Sequence, residues 1–222
     1  MRGRIWLLVA VLAVLATGCP EPPSTDASTT TLPQTNLTVW ALGDSQGANS
    51  SEPDRGLPWT ERIGAGVGNG ADNMYGGGWA IPSINTKQTI TQRAAAVIGS
   101  SPVREFIVMA GINDLTGGRT LAQMLAGASE FADLAAAHGI TVTWVGLVPF
   151  PETATISNRQ ADRNAFNAAL AARYGNRFLD CSPRMSNASG FLTPGLSLSP
   201  LDLHLNNAGE QALADCINAF RS

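Results

Sequence analysis

Lysine is almost missing from this chain: only Lys87 among 222 residues, and 14 basic side chains stand against 17 acidic ones, a net charge of −3. Setting aside Arg2 and Arg4 leaves 12 basic residues, so neither a cationic surface nor a nucleic-acid partner is expected. Histidine is equally scarce. His138 and His204 are the only two, and any chemistry that needs an imidazole base must use one of them. No grouping of His, Cys, Asp and Glu has metal-ligand spacing and no cofactor motif appears, so no metal and no cofactor are expected. Long apolar runs are missing too, because the longest, 5–16, falls short of the roughly 20 residues that span a bilayer. Aromatic residues make up 6% of the chain against 23 glycines, a composition suited to tight packing of helices on a sheet. No internal repeat is visible.

What the N-terminus does hold is a pair of arginines, the apolar run, and then Thr17, Gly18 and Cys19. This order reads as an export signal over 1–18 and is excluded from the fold. Leu15-Ala16-Thr17-Gly18-Cys19 resembles a bacterial lipobox, with Ala16 where leucine is more usual. The resemblance implies cleavage before Cys19, lipid attachment to it, and a membrane-anchored protein on the extracytoplasmic side; ordinary cleavage with secretion, or a retained leader, are the alternatives. Residues 19–36 are rich in Pro, Ser and Thr without apolar periodicity, the composition of a flexible tether, and 37–222 form one domain, expected to be a monomer. Export permits a disulfide between Cys181, after a predicted strand, and Cys216, on the last helix, worth about 3 to 4 kcal/mol by chain entropy. Two buried free thiols are the alternative.

Along the domain, strands and helices alternate. The apolar stretch ending Val39-Trp40-Ala41-Leu42-Gly43 predicts a buried strand, and 59–65 a short helix. Residues 64–70 read as irregular and 71–75 as a short strand running into Gly76-Gly77-Gly78. A helix follows at 86–98, then a doubly buried strand at 105–110, a long helix at 120–138 stopped by Gly139, and a strand at 140–148. A helix at 158–174, a short strand at 177–180, a long loop at 182–200 and a final helix at 208–220 complete the domain. Such alternation means right-handed crossovers and a parallel sheet covered on both faces.

Three strands end in polar or glycine-rich turns: Gly43-Asp44-Ser45, Gly76-Gly77-Gly78 and Gly111-Ile112-Asn113-Asp114. In a parallel sheet all three lie on one edge, where open α/β sheets bind ligands. Each alone is equally a turn or a helix cap. A nucleophilic Ser45 needs a base, and His138 sits where it caps a helix at the opposite edge, which leaves His204 in its polar loop.

At these residues the chain resembles the SGNH hydrolases, the GDSL-type lipases and esterases. Gly43-Asp44-Ser45 resembles their nucleophile block, with Gln46 in place of the common leucine, and Asn73 to Gly78 resembles the second block. Gly111-Ile112-Asn113-Asp114 matches the third and His204-Leu205-Asn206-Asn207-Ala208-Gly209 the last. The resemblance implies a three-layer α/β/α sandwich with a mostly parallel, flavodoxin-like sheet of about five strands. It implies a serine esterase acting through an acyl-enzyme on Ser45, with His204 as base and Ser45, Gly78 and Asn113 as oxyanion donors; Gly77 replaces Gly78 if the register slips. The substrate is expected to be a small-molecule or carbohydrate ester, short-chain acyl rather than long-chain lipid. Envelope-polysaccharide O-acyl transfer or deacetylation, and a non-catalytic ligand-binding lipoprotein, are the other readings.

One position departs from the pattern. The family places an aspartate three residues before the histidine; here Leu201 stands there and Asp202 lies two before. In an extended segment Asp202 reaches the imidazole, in a helical turn it diverges, and a backbone carbonyl or Asp180 are alternative partners. Asp44 and Asp114 read as turn-holding carboxylates.

Overall fold

Among the described residues five strands, β1 (Val39–Gly43), β2 (Val67–Asn69), β3 (Glu105–Met109), β4 (Thr141–Val145) and β5 (Phe178–Leu179), hydrogen-bond into one sheet in the order β2-β1-β3-β4-β5, every neighbouring pair parallel. The computed structural model describes residues 36–48, 52–71, 78–80, 82 and 87–222, all within the compact unit Pro33–Ser222. The expected leader, Cys19, the tether to residue 35, all but Ala71 of the short strand expected at 71–75, and residues 73–77 of the second motif lie outside them. The central strands β1 and β3 are buried almost end to end, as strands covered on both faces must be.

Helices α2 (Ile90–Ser100), α4 (Leu121–Ala137) and α5 (Gln160–Tyr174) pack side by side, and α1 (Trp59–Arg62) packs with α7 (Asn207–Arg221), with α6 (Ser182–Met185) also against α7. This is the three-layer, flavodoxin-like arrangement expected. Capping boxes start two of the helices: Thr89 with Gln92 on α2, and Thr120 with Gln123 on α4. At the end of α4, Ile140 N–H donates to Ala135 O (2.9 Å) and Gly139 N–H to Ala136 O (3.0 Å), the paired bonds of a Schellman stop. Trp79, Phe106, Phe131 and Trp144 form an aromatic core, extended by Tyr174 stacked on Trp144 at 4.2 Å. Cys181 and Cys216 are bonded, tying the end of β5 to α7.

Some elements differ from the sequence reading. β2 is Val67–Asn69, within the stretch read as irregular. Its central Gly68 lies under the Trp40 indole, where a Cβ would come within 2.6 Å of the ring, so β1 dictates a residue with no strand signal of its own. The Gly111 motif opens a short helix, α3 (Ile112–Thr116), not a plain turn. β4 stops at Val145 because α5 side chains replace its ladder partners: Asn167 Oδ1 accepts from Leu147 N–H (2.9 Å), and Arg163 Nε donates to Leu147 O (2.7 Å). Among the described residues no helix is long and apolar enough to cross a membrane.

Candidate active site

β1 and β3 are the neighbours between which the strand order reverses, so their carboxyl ends flank the crevice where α/β sheets take ligands. Ser45 stands two residues beyond β1. Gly47 N–H donates to Asp44 O (3.0 Å) and Gln46 N–H to Asp44 Oδ1 (3.1 Å), making 44–47 a tight turn. Buried charges brace it. From α2, Arg93 donates to Gly43 O (2.6 Å) and Gly70 O (3.0 Å). Arg55 donates to Ser45 O and through Nε to Glu210 Oε1 (3.0 Å), and Glu210 Oε2 accepts Trp59 N–H (2.8 Å). Arg55 and Glu210 are 2% and 0% exposed. Burial therefore pushes Glu210 up to about 7, against the pull of Arg55. Burial likewise pushes Asp44 up to about 6, opposed by the Gln46 amide, Arg93 and the Gly111 amide and helped by Asp114.

The base comes from the segment leading into α7. His204 Nε2 lies 3.0 Å from Ser45 Oγ, and His204 Nδ1 lies 2.8 Å from Asp202 Oδ1. A carboxylate only accepts, so Nδ1 carries the proton, which leaves Nε2 free to accept from the Ser45 hydroxyl. Asp202, two residues before His204, thus reaches the imidazole. Asp202 Oδ1 also accepts the His204 backbone N–H at 2.8 Å, closing an Asx turn that folds the carboxylate back onto its own imidazole. Asp180 is engaged elsewhere: it accepts Ser182 N–H at 2.9 Å. His138 is the exposed C-cap of α4, beside the start of β4 at the opposite edge.

On the other side of the crevice, Gly111 takes φ 127°, open to glycine, and turns the chain from β3 into α3, where Asn113 lies in the first turn. Asp114 accepts Trp79 N–H (2.8 Å) and Ala80 N–H (2.8 Å), while Trp79 Nε1 donates to Ala110 O (2.8 Å). These bonds dock Gly78 beside Asp114, so closely that a Cβ on residue 78 would collide with the carboxylate. Gly78 is thus held beside Asp114, the residue after Asn113, and Asp114 is near enough to Asp44 for their charges to interact. Gly77 lies outside the described residues. Among those described, no group of three or more His, Cys, Asp or Glu is placed to hold a metal.

Two cavities adjoin the base segment. One of about 380 Å³ is lined by Leu115, Ala154, Ile156, Arg159, Leu201 and Leu203 among others. The second, about 490 Å³, is lined among the described residues mainly by apolar side chains, including Leu192, Pro194 and Leu198, with Asn187, Ser197 and Glu152 beside them. Thr153 Oγ1 donates to Pro200 O at 2.5 Å, bridging the two segments that line it.

Sequence reasoning missed Arg55, Arg93 and Glu210. For Glu210 a signal exists: it shares a helical stripe with Leu213 and Ile217, and an acid on an apolar stripe must find a buried partner. Arg55, in a Gly- and Pro-bearing loop, offers none.

A model of the GDSL-like lipase/acylhydrolase family matches residues 41–212. Among solved structures, a Bacteroides fragilis protein described as a candidate acylhydrolase is similar, with TM-score 0.64 and 17% identity over 83% of this chain and 86% of that one. A GDSL-like lipase from Bacteroides thetaiotaomicron has TM-score 0.62 and 18% identity, covering 85% and 88%. A member of the lipolytic G-D-S-L family from Veillonella parvula has TM-score 0.58 and 17% identity, covering 81% and 94%. At these identities the likeness concerns the fold. Among curated proteins, none matches the chain.

Proposed function

Because this chain belongs to the GDSL-like lipase/acylhydrolase family, we propose that it is a serine esterase that cleaves short-chain acyl esters through an acyl-enzyme on Ser45. The observation that carries this reading is the unbroken relay from Ser45 Oγ to His204 Nε2 (3.0 Å) and from His204 Nδ1 to Asp202 Oδ1 (2.8 Å). His204 takes the hydroxyl proton as Ser45 Oγ attacks the ester carbonyl, and Asp202 stabilises the imidazolium that forms. The amides of Ser45 and Gly78 and the Asn113 carboxamide receive the oxyanion. His204 then protonates the departing alcohol, and a water deprotonated by the same imidazole releases the acid and restores Ser45.

The 380 Å³ cavity, with Leu115, Ala154, Ile156, Leu201 and Leu203, suits a short aliphatic acyl group. We place the enzyme outside the cytoplasmic membrane, tethered as a monomer through lipid on Cys19. Hydrolysis of aryl acetate and aryl butyrate by the purified full chain tests the reading. Ser45→Ala and His204→Ala are each expected to lose at least about 10³-fold in kcat. Equal rates in all three proteins would dismiss it.

A further inference from the structure

Gln46 follows the proposed nucleophile, is 1% exposed, and does not pack as an apolar residue would. Its Nε2 donates to Leu203 O at 2.8 Å, 157 residues away. Among the described residues no donor reaches its Oε1, so the side chain carries a buried orphan oxygen that an apolar residue of that size would avoid. The orientation of the carboxamide follows, since only its nitrogen is able to meet a carbonyl.

What Gln46 holds is one end of a particular peptide. Leu203 C=O and His204 N–H belong to the same planar unit. Asp202 Oδ1 accepts that N–H at 2.8 Å and the His204 Nδ1 proton at 2.8 Å, while Gln46 binds the carbonyl end. Asp202 lies two residues before His204 and meets the imidazole only because the Asx turn folds it back; the turn persists only while the 203–204 peptide keeps its N–H toward Asp202. Gln46 supplies the opposing anchor, and it does so from the residue next to Ser45.

We propose that Gln46 is a positioning residue: it locks the Leu203–His204 peptide so that Asp202 serves as the partner of His204 across a two-residue spacing, in register with Ser45. This rests on the reading of Ser45 and His204 as nucleophile and base. The two places where the chain departs from its family's pattern, Gln46 and the acid at 202, then meet at the two ends of one peptide unit. A leucine at 46 has no donor for that carbonyl.

The test is a double-mutant cycle on the full chain, read by aryl acetate hydrolysis, with the thermal midpoint of each protein recorded. Gln46→Met keeps the length of the side chain and removes the donor; Gln46→Leu is the second variant should the first not fold. The expected result is a fall in kcat of about 10- to 10²-fold with KM changed less than about threefold and the thermal midpoint kept. In an Asp202→Ala background the same substitution is expected to change kcat by less than about twofold, because the group it positions is gone. A Gln46 variant with wild-type kcat, or one that loses as much without Asp202 as with it, overturns the proposal. A Ser45→Ala protein as active as the wild type would instead overturn the esterase reading beneath it.

Discussion

The two halves of the site are built differently. The nucleophile turn is interior: Asp44 and Gln46 are 1% exposed, and Arg93, Arg55 and Glu210 close around the backbone of 43–45. The base segment is a surface loop in which the Asp202 and His204 side chains are 33% and 24% exposed and Leu201 is 73% exposed. On one side buried charge fixes the main chain. On the other a few hydrogen bonds fix two side chains. Substitutions of the buried charges that brace the nucleophile turn should therefore be felt first in stability, and those at the base segment in turnover.

The sharpest separation is expected from Asp202→Ala. Loss of its two bonds to His204 should lower kcat by about 10²- to 10⁴-fold while changing the unfolding free energy by less than about 1 kcal/mol. Retained activity would mean that another group orients the imidazole. Arg55→Ala should do the reverse. Removing one partner of a buried ion pair leaves Glu210 uncompensated and Ser45 O without its donor, at a cost of about 3 to 5 kcal/mol by urea unfolding. A loss below about 1 kcal/mol would show that the pair does not brace the turn.

A smaller effect follows from protonation. Glu210 ionises about 7 in the folded chain against an ordinary 4.5, and Asp44 about 6 against 3.8, both raised by burial. The folded state therefore binds more protons across this window, and their contribution to stability is present below the ordinary values and lost as pH rises to about 7. Glu210→Gln should flatten that part of the decline in urea midpoint between about pH 5 and pH 8. An unchanged slope would assign the pH dependence to other groups.

The same contrast decides what was legible in the sequence. The strand running into Gly43-Asp44-Ser45 is a local pattern, and so are the doubly buried β3 and the capped α4; each reads from its own residues. β2 does not, because Val67-Gly68-Asn69 is a strand only through its pairing with β1 and the Trp40 ring above Gly68. At the site, strand ends and the shortage of histidines single out Ser45, Asn113 and His204. The sequence leaves the orientation of His204 open among Asp202, Asp180 and a carbonyl, since an Asx turn held by a glutamine far away along the chain leaves no trace in local spacing. Arg55 escaped for the same reason, its partners being Ser45 and Glu210.

The proposed mechanism requires that Ser45 become acylated during turnover. Mass spectrometry of the full chain, quenched in acid during hydrolysis of an aryl butyrate, tests it most directly. The predicted result is a butyryl adduct on the peptide containing Ser45, absent from Ser45→Ala and from His204→Ala. Steady ester hydrolysis by the wild type and Ser45→Ala alike, with no adduct on that peptide, would contradict it.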